Sequence, residues 1–449
     1  MTPELIARYD QRVPRYTSYP TAPHFSAAVS ADTYEEWLKK LDADIPLSLY
    51  VHIPFCQELC WYCGCHTIVS NNYSGISHYV RQLCSEISMV SDLLPGPMRV
   101  SHMHWGGGTP TALNPADLHA VLSHISRYFR FEEGAESAIE IDPRVLSEEQ
   151  IAVLAENGVT RASIGVQDFN EKVQKSVNRQ QSFEVTEKAV TGLRAAGITK
   201  INLDLMYGLP FQSEDSILES AEIALKLRPD RISLFGYAHV PWMKKHQNLL
   251  PQESLPDTAE RVRQMEAAAG FLMANGYISI GIDHFAHPDD AMVTAQKESR
   301  LHRNFQGYTT DEASALIGFG ASAIGSLPQG YVQNQTPVAH YIKTIEAGKL
   351  ATARGIALKQ EDRLRRAIIE RLMCDFCVDL NQEKACFGLE NIDFSSVFSE
   401  LKHLAQDGLV ECKGDKLFIP LAARPLVRLV CAVFDTYLNI RPDAYSKAL

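Results

Sequence analysis

From residue 48 onward the chain alternates between short apolar or alternating runs and longer stretches whose apolar residues recur at helical spacing. The short runs predict strands near 48–53, 100–105, 137–142, 161–165, 200–206, 231–236 and 277–283. Helices are expected in the gaps. One is predicted over 115–130, with Asn114 as N-cap, Pro115 at the first helical position and Leu118, Val121, Leu122 and Ile125 on one face. Ser147-Glu-Glu-Gln150 reads as a capping box opening a helix over 147–157. The stretch 257–275 carries Val262, Met265, Ala269, Leu272 and Met273 at helical spacing. Such βα alternation implies an α/β fold with parallel strands and right-handed crossovers. Six or seven strands favour a (β/α) barrel, complete or not, over an open sheet.

The flanks break this rhythm. Residues 1–45 form a mixed polar and aromatic arm, including Arg12-Val-Pro-Arg15-Tyr-Thr-Ser-Tyr-Pro20, with a short helix around 31–42. Beyond about 345 the alternation stops. The tail reads helix-rich, with Gly408–Ile419 as a small β-hairpin after a helix. Three units are therefore expected: an arm over 1–45, a barrel over 46–345, and a mostly helical, winged-helix-like unit over 346–449.

Composition narrows the function classes. Of 449 residues, 45% are hydrophobic and 22% charged, ordinary for a globular protein. A net charge of −11 argues against nucleic acid as a partner. It leaves room for a small anionic substrate held by a local arginine pocket. No run approaches the roughly 18 apolar residues of a membrane span, and the start lacks the apolar core of a secretory signal. No G-x-G-x-x-G follows the first strand, which weakens a dinucleotide-binding reading.

The cysteines carry the strongest chemical signal. Cys56, Cys60, Cys63 and Cys65 fall in one short segment directly after the first predicted strand, while the other six of ten are scattered. Thiolates are soft ligands that select Fe–S clusters, zinc or Cu(I). Structural zinc favours paired knuckles closing a tetrahedron, and the nearest such pair, Cys374-x2-Cys377, is far away in sequence. Three thiolates on one loop suit a cubane with one open iron. Grouped metal-binding thiols also point to the reducing cytoplasm. Cys84, Cys374, Cys377, Cys386, Cys412 and Cys431 are expected to behave as small buried hydrophobes.

In (β/α) barrels the chemistry gathers at the C-terminal ends of the strands. There the sequence places the cysteine segment, Trp105-Gly-Gly-Gly-Thr-Pro110, Glu140 and Asp142, Gln167 and Asp168, Asp204, and Tyr237-Ala238-His239. Taken singly, the glycines read as a tight turn and Glu140 as a helix cap. Their agreement on one face points to a rim of polar groups around a cofactor. Glycine lets backbone approach closely, and carboxylates and arginine can pair an ammonium, ribose hydroxyls and a carboxylate.

The spacing C-x3-C-x2-C with Tyr62 before the last cysteine resembles the radical S-adenosylmethionine (SAM) superfamily. A narrower resemblance, to the oxygen-independent coproporphyrinogen III oxidases, rests on longer strings. They include Pro14–Thr21, Tyr50-Val-His-Ile-Pro-Phe-Cys56, His104–Thr111, Gly165-Val-Gln-Asp-Phe169, Val177-Asn-Arg179, Asp204–Pro210, Asp283-His-Phe-Ala286, His302–Tyr308 and Phe434–Leu438. The resemblance implies an incomplete (β/α) barrel of radical SAM type that converts two propionates of coproporphyrinogen III to vinyl groups. It implies a [4Fe–4S] cluster on Cys56, Cys60 and Cys63, and SAM, with room for a second SAM molecule. SAM contacts are implied for Tyr50, Tyr62, Gly107, Gly108, Thr109, Glu140, Gln167, Arg179, Asp204, Ala238 and Ile324. Cys65 matches a fourth cysteine needed for activity outside the cluster. Arg15 and Arg303 are the expected propionate contacts, with the arm as a lid. A low-potential electron donor such as flavodoxin or ferredoxin is implied, and a monomer fits. A related heme-binding chaperone is the rival reading. It lacks the arm and typically carries an aromatic residue in place of Cys65.

Overall fold

A computed structural model describes residues 3–438 and Tyr445. The strands of its main sheet are β1 (Leu47–Ile53), β2 (Arg99–Gly107), β3 (Arg130–Ile141), β4 (Arg161–Gln167), β5 (Lys200–Tyr207) and β6 (Arg231–Gly236), then β7 (Ile278–Ile280), β8 (His284–Ala286), β9 (Leu316–Phe319), β10 (Ile324–Leu327), β11 (Gly330–Asn334) and β12 (Thr352–Ala357). Among the described residues the sheet runs β12-β11-β10-β9-β1-β2-β3-β4-β5-β6-β8-β7. β1 to β6 pair in parallel, each with the next, as the alternation predicts. The ends do not close on one another, so the barrel is incomplete.

The predicted helices form for the stated local reasons. Pro115–Tyr128 is capped by Asn114, whose side chain accepts from the Asp117 amide, and its buried residues are Leu118, Val121, Leu122 and Ile125. Glu148–Glu156 carries the Ser147/Gln150 capping box. On Thr258–Ala274, Val262 and Leu272 are buried but Met273 is exposed, and Met265 lines a cavity.

The seventh expected strand behaves differently. Residues 278–280 and 284–286 make an antiparallel hairpin at the sheet edge, turning at Gly281 with φ +58°. A three-residue connection cannot carry the crossover that parallel pairing needs. At the other edge β9 joins β1 in parallel, and β10 to β12 follow antiparallel. The sheet thus continues to Ala357, past the expected boundary at 345.

The tail has the order of a winged helix. Helices Gln360–Asp375, Leu380–Cys386 and Ser395–Gln406 combine with a three-stranded antiparallel sheet formed by 377–379, 416–418 and 411–413. The arm packs into this unit. Tyr9, Val13, Tyr16 and Tyr19 share one apolar core with Leu364, Ile368, Val430 and Phe434. The Tyr16 hydroxyl donates to Asp435 Oδ2 at 3.1 Å. Of the six scattered cysteines, Cys374 and Cys431 are buried as expected, but Cys386 and Cys412 are exposed. Cys386 ends a short outer helix and Cys412 lies on the edge strand of the hairpin.

Glu86 pins β9 and β11 to helix Tyr73–Leu93. Its carboxylate, almost fully buried, accepts from the Gly320 amide (2.7 Å), Asn334 Nδ2 (2.6 Å) and the Tyr341 hydroxyl (2.7 Å). Burial pushes its pKa up to about 7, against the pull of those donors. A carboxyl raised above its unfolded value stabilises fully below that value and loses the contribution as pH rises. The stabilising contribution of Glu86 therefore fades between about pH 4.5 and 7. We expect Glu86→Gln to flatten this limb of a pH–melting profile. It should also cost about 1–3 kcal/mol near pH 5 by turning an amide on donors. A variant profile parallel to wild type would contradict this assignment.

Candidate active site

The cysteine segment leaves β1 and is tied down by backbone partners on two sides. Trp61 N donates to Val177 O at 2.9 Å and Asn178 Nδ2 to Leu59 O at 2.9 Å. From the loop after β6, Lys244 Nζ donates to Cys65 O (2.8 Å), His246 Nε2 meets Cys63 O (2.8 Å) and Gln247 Nε2 donates to Tyr62 O (3.1 Å). Gln247 also donates to Ala238 O at 3.2 Å, so one buried amide joins the cysteine segment to the end of β6. Sequence reasoning passed over Lys244, His246 and Gln247, which sit in a polar loop with no motif of their own.

Thiol chemistry here fits a cluster. All four cysteines are free. Two guanidiniums are aimed at the buried Cys60 sulfur, Arg179 Nη1 at 3.6 Å and Arg144 Nη2 at 3.8 Å. Thr67 Oγ1 donates to Cys56 Sγ at 3.2 Å. Hydrogen bonding with Cys65 draws the Cys63 thiol down to about 7, whereas burial pushes Cys56 up to about 11. Donors and cations around sulfur are what a set of thiolates on an Fe–S cluster requires. Among the described residues no three Cys, His, Asp or Glu side chains meet at a point suited to a single ion. A cubane asks instead for thiolates at separate corners.

The glycine run ends β2 beside this segment. Gly108 N donates to Ile53 O and Thr109 N to Phe55 O, both at 2.9 Å. A Cβ on Gly107 would lie 2.7 Å from Ile53 O, and one on Gly108 would lie 2.5 Å from Phe55 O. The missing Cβ atoms thus admit protein backbone, and these glycines set the cysteine segment against β2. Gly107 also has φ +124°. The Thr109 hydroxyl is committed to Thr111 (2.7 Å) and the Asp142 amide (3.2 Å).

The expected polar rim assembles around the strand ends. The Tyr50 hydroxyl meets His52 Nδ1 at 2.9 Å, and its ring stacks near His104 with centroids 6.2 Å apart. His104 Nε2 lies 3.2 Å from Glu140 Oε1. Asp204 accepts from Ser163 Oγ (3.1 Å) and Asn202 Nδ2 (2.8 Å). Burial and the nearby Glu140 raise its pKa. Gln167, with φ +72°, and Arg179 both lie over Gly165. Arg179 donates to Gly165 O at 2.6 Å and pairs with Asp142 at 3.4 Å. Asp142 is also bound by Arg144 at 2.6 Å. Tyr62 packs among Val173, Val177 and Leu209. Asp168 does not join the rim. It is buried against Gln212 Nε2 and Ser220 Oγ, where burial lifts its pKa to about 6. Ile324 stands to one side. Its carbonyl lies 2.8 Å from where a Gly318 Cβ would be, and Gly318 is in register with Tyr50.

Next to this rim is a cavity of about 460 Å³ at the ends of β5 and β6. Arg15, Arg261, Arg303 and Arg428 line it with Tyr207, Asp283 and Ala238. Arg15 faces the cavity and donates to Gly236 O at 3.3 Å. The Arg303 side chain is 5% exposed, lies 3.9 Å from Asp283 and covers the Tyr308 ring at 4.5 Å. Burial alone would raise the Asp283 carboxyl, but His284 and Arg303 hold it at about 2. At the mouth Arg12 of the arm lies 4.4 Å over the Trp242 ring. A second cavity of about 260 Å³ holds Ile324, Phe305 and Arg303 between sheet and arm.

Fold and loop together define a radical SAM protein, and the radical SAM superfamily profile matches residues 50–224. The chain is 48% identical, over the full length of both proteins, to an oxygen-independent coproporphyrinogen III oxidase of Bradyrhizobium diazoefficiens. It is 43% identical to one of Paracoccus denitrificans, covering 99% of this chain and 98% of that protein. The solved structure of coproporphyrinogen III oxidase from Escherichia coli, described as a radical SAM enzyme, superposes with a TM-score of 0.90 at 38% identity. It covers 95% of this chain and 100% of that one. This chain belongs to the oxygen-independent coproporphyrinogen III oxidase family. No described helix is long and apolar enough to cross a membrane.

Proposed function

We propose that this protein oxidatively decarboxylates two propionate side chains of coproporphyrinogen III without oxygen, giving protoporphyrinogen IX. The observation that carries the reading is the arginine-lined cavity set beside a four-cysteine segment at the strand ends. Held by Cys56, Cys60 and Cys63, a [4Fe–4S] cluster together with SAM would supply the one-electron radical chemistry needed to remove a hydrogen from a propionate β-carbon, with CO2 released and one electron passed to an acceptor.

In this reading Cys56, Cys60 and Cys63 hold the cluster, and Cys65 serves turnover outside it. Tyr50, Tyr62, Gly107, Gly108, Thr109, Glu140, Gln167, Arg179, Asp204 and Ala238 surround SAM. Ile324, set apart in the smaller cavity, belongs with the second SAM molecule. The arm closes the mouth of the barrel, whose sheet extends to Ala357, against the helical tail unit. A cytoplasmic monomer served by a low-potential flavodoxin or ferredoxin completes the reading.

Arg15 and Arg303 bind propionates, and Asp283 orders Arg303 between turnovers. Replacing Arg15 by alanine is expected to raise the KM for coproporphyrinogen III about tenfold or more, the scale of a charge-assisted hydrogen bond, with a smaller change in kcat. A variant with unchanged KM and kcat would remove the arm from substrate binding. The heme-chaperone reading is disfavoured by Cys65 and by an arm built into the core. Tight stoichiometric heme binding without vinyl product would revive it.

A further inference from the structure

We infer that Arg144, clamped by Asp142, is a positioning residue for the cluster: it donates to the Cys60 corner and makes the bound cluster easier to reduce. The inference rests on the cluster assignment proposed above. Neither residue falls in the cysteine segment itself.

The clamp is built from the strand end outward. Asp142 directly follows β3, and its amide donates to Thr109 Oγ1 (3.2 Å) and Thr111 Oγ1 (3.3 Å), which fixes it beside the glycine run. Its carboxylate grips Arg144 at two points, Oδ1 accepting from Nε at 2.9 Å and Oδ2 from Nη2 at 2.6 Å. Such a fork sets the plane of a guanidinium as well as its place. Oδ1 also accepts from the Arg144 amide at 3.1 Å, closing the turn through Pro143. With that plane fixed, Nη2 reaches Cys60 Sγ at 3.8 Å.

The charges around that sulfur are uneven. Arg144 and Arg179 approach it with Asp142 between them, 2.6 Å from the first and 3.4 Å from the second, so two cations share one carboxylate. Glu58 lies 3.5 Å from Arg144 Nη1, but its side chain is 67% exposed and screened by water, whereas that of Arg144 is 16% exposed. The donor at Cys56, by contrast, is the neutral hydroxyl of Thr67. Reduction adds negative charge to a cluster, so nearby cations and hydrogen bonds to its sulfur ligands favour the reduced form. Arg179 is also engaged by Gly165 O at 2.6 Å. Arg144 directs its donors at Asp142, Glu58 and Cys60.

The test uses cluster-loaded wild type, Arg144→Gln, Arg144→Met and Arg144→Lys, with iron content and thermal midpoint as controls. The readout is the cluster midpoint potential from a reductive titration followed by electron paramagnetic resonance, which a merely structural residue would not move. Both neutral variants should be about tenfold harder to reduce, a fall of about 59 mV for a one-electron couple. Arg144→Lys keeps the charge and should recover part of that fall. A midpoint at or above wild type in Arg144→Gln with wild-type iron would overturn the inference, as would a Lys variant no better than Gln. Should Arg144→Gln take up no iron, Arg144→Met decides by the same criteria. If wild type itself takes up no redox-active [4Fe–4S] cluster, the cluster assignment beneath fails and the inference with it.

Discussion

Cys60→Ser is expected to yield colourless protein with iron content near zero and turnover below about one-thousandth of wild type, the scale of removing a group the chemistry cannot do without. Serine oxygen is a hard and weakly acidic donor where a soft thiolate is needed. The Cys60 sulfur is also the one held between Arg179 at 3.6 Å and Arg144 at 3.8 Å. The substitution also leaves both guanidiniums beside a hydroxyl in place of that sulfur. Cys65→Ser separates the roles: it should keep its iron and lose turnover. Iron and sulfide determination on both variants checks this. Full iron loading of Cys60→Ser would remove Cys60 from the cluster.

Gly108→Ala tests the packing that places the segment. Its Cβ would lie 2.5 Å from Phe55 O and 2.6 Å from Thr67 Oγ1. The first neighbour is a backbone carbonyl and cannot swing aside. The segment bearing Cys56 must move, taking with it Thr67, whose hydroxyl donates to Cys56 Sγ. We expect a destabilisation of about 1–3 kcal/mol, the cost of overpacking. Cluster uptake and turnover should fall at least tenfold, on the scale of losing a supporting contact at a metal site. Gly96→Ala is the control, since nothing lies within 4 Å of its Cβ position. Melting curves and iron content that matched between the two variants would contradict the account.

Local physics made much of the parallel sheet legible. Asn114 and Ser147 cap their helices as their side-chain chemistry dictates. The runs before each site residue alternate in a way only strands accommodate. Direction was less legible. The 278–286 region has strand composition, but hairpin or crossover is decided by the length of the turn at Gly281, which periodicity does not encode. β9 to β12 escaped notice because their runs are short and interrupted by glycines, Gly318 and Gly325 among them.

The site was legible where one segment carries it. The cysteines and the glycine run announce themselves by spacing. The cavity arginines do not, because Arg15, Arg261, Arg303 and Arg428 are brought together only by folding of the arm, the Thr258–Ala274 helix, the sheet edge and the tail. Resemblance singled out Arg15 and Arg303. Arg261 and Arg428 emerge from the packing alone. The glycine run was read as cofactor-facing; its missing Cβ atoms also make room for the backbone of residues 53 and 55, a packing role that spacing alone does not announce.

The central claim is a radical decarboxylation of coproporphyrinogen III. Its most direct test is anaerobic incubation of cluster-reconstituted protein with SAM, coproporphyrinogen III, a strong reductant and an electron acceptor, with products read by mass spectrometry. The account predicts protoporphyrinogen, or its oxidised porphyrin, accompanied by methionine and 5′-deoxyadenosine. SAM cleavage with no vinyl product, in protein that instead retains heme tightly, would contradict it.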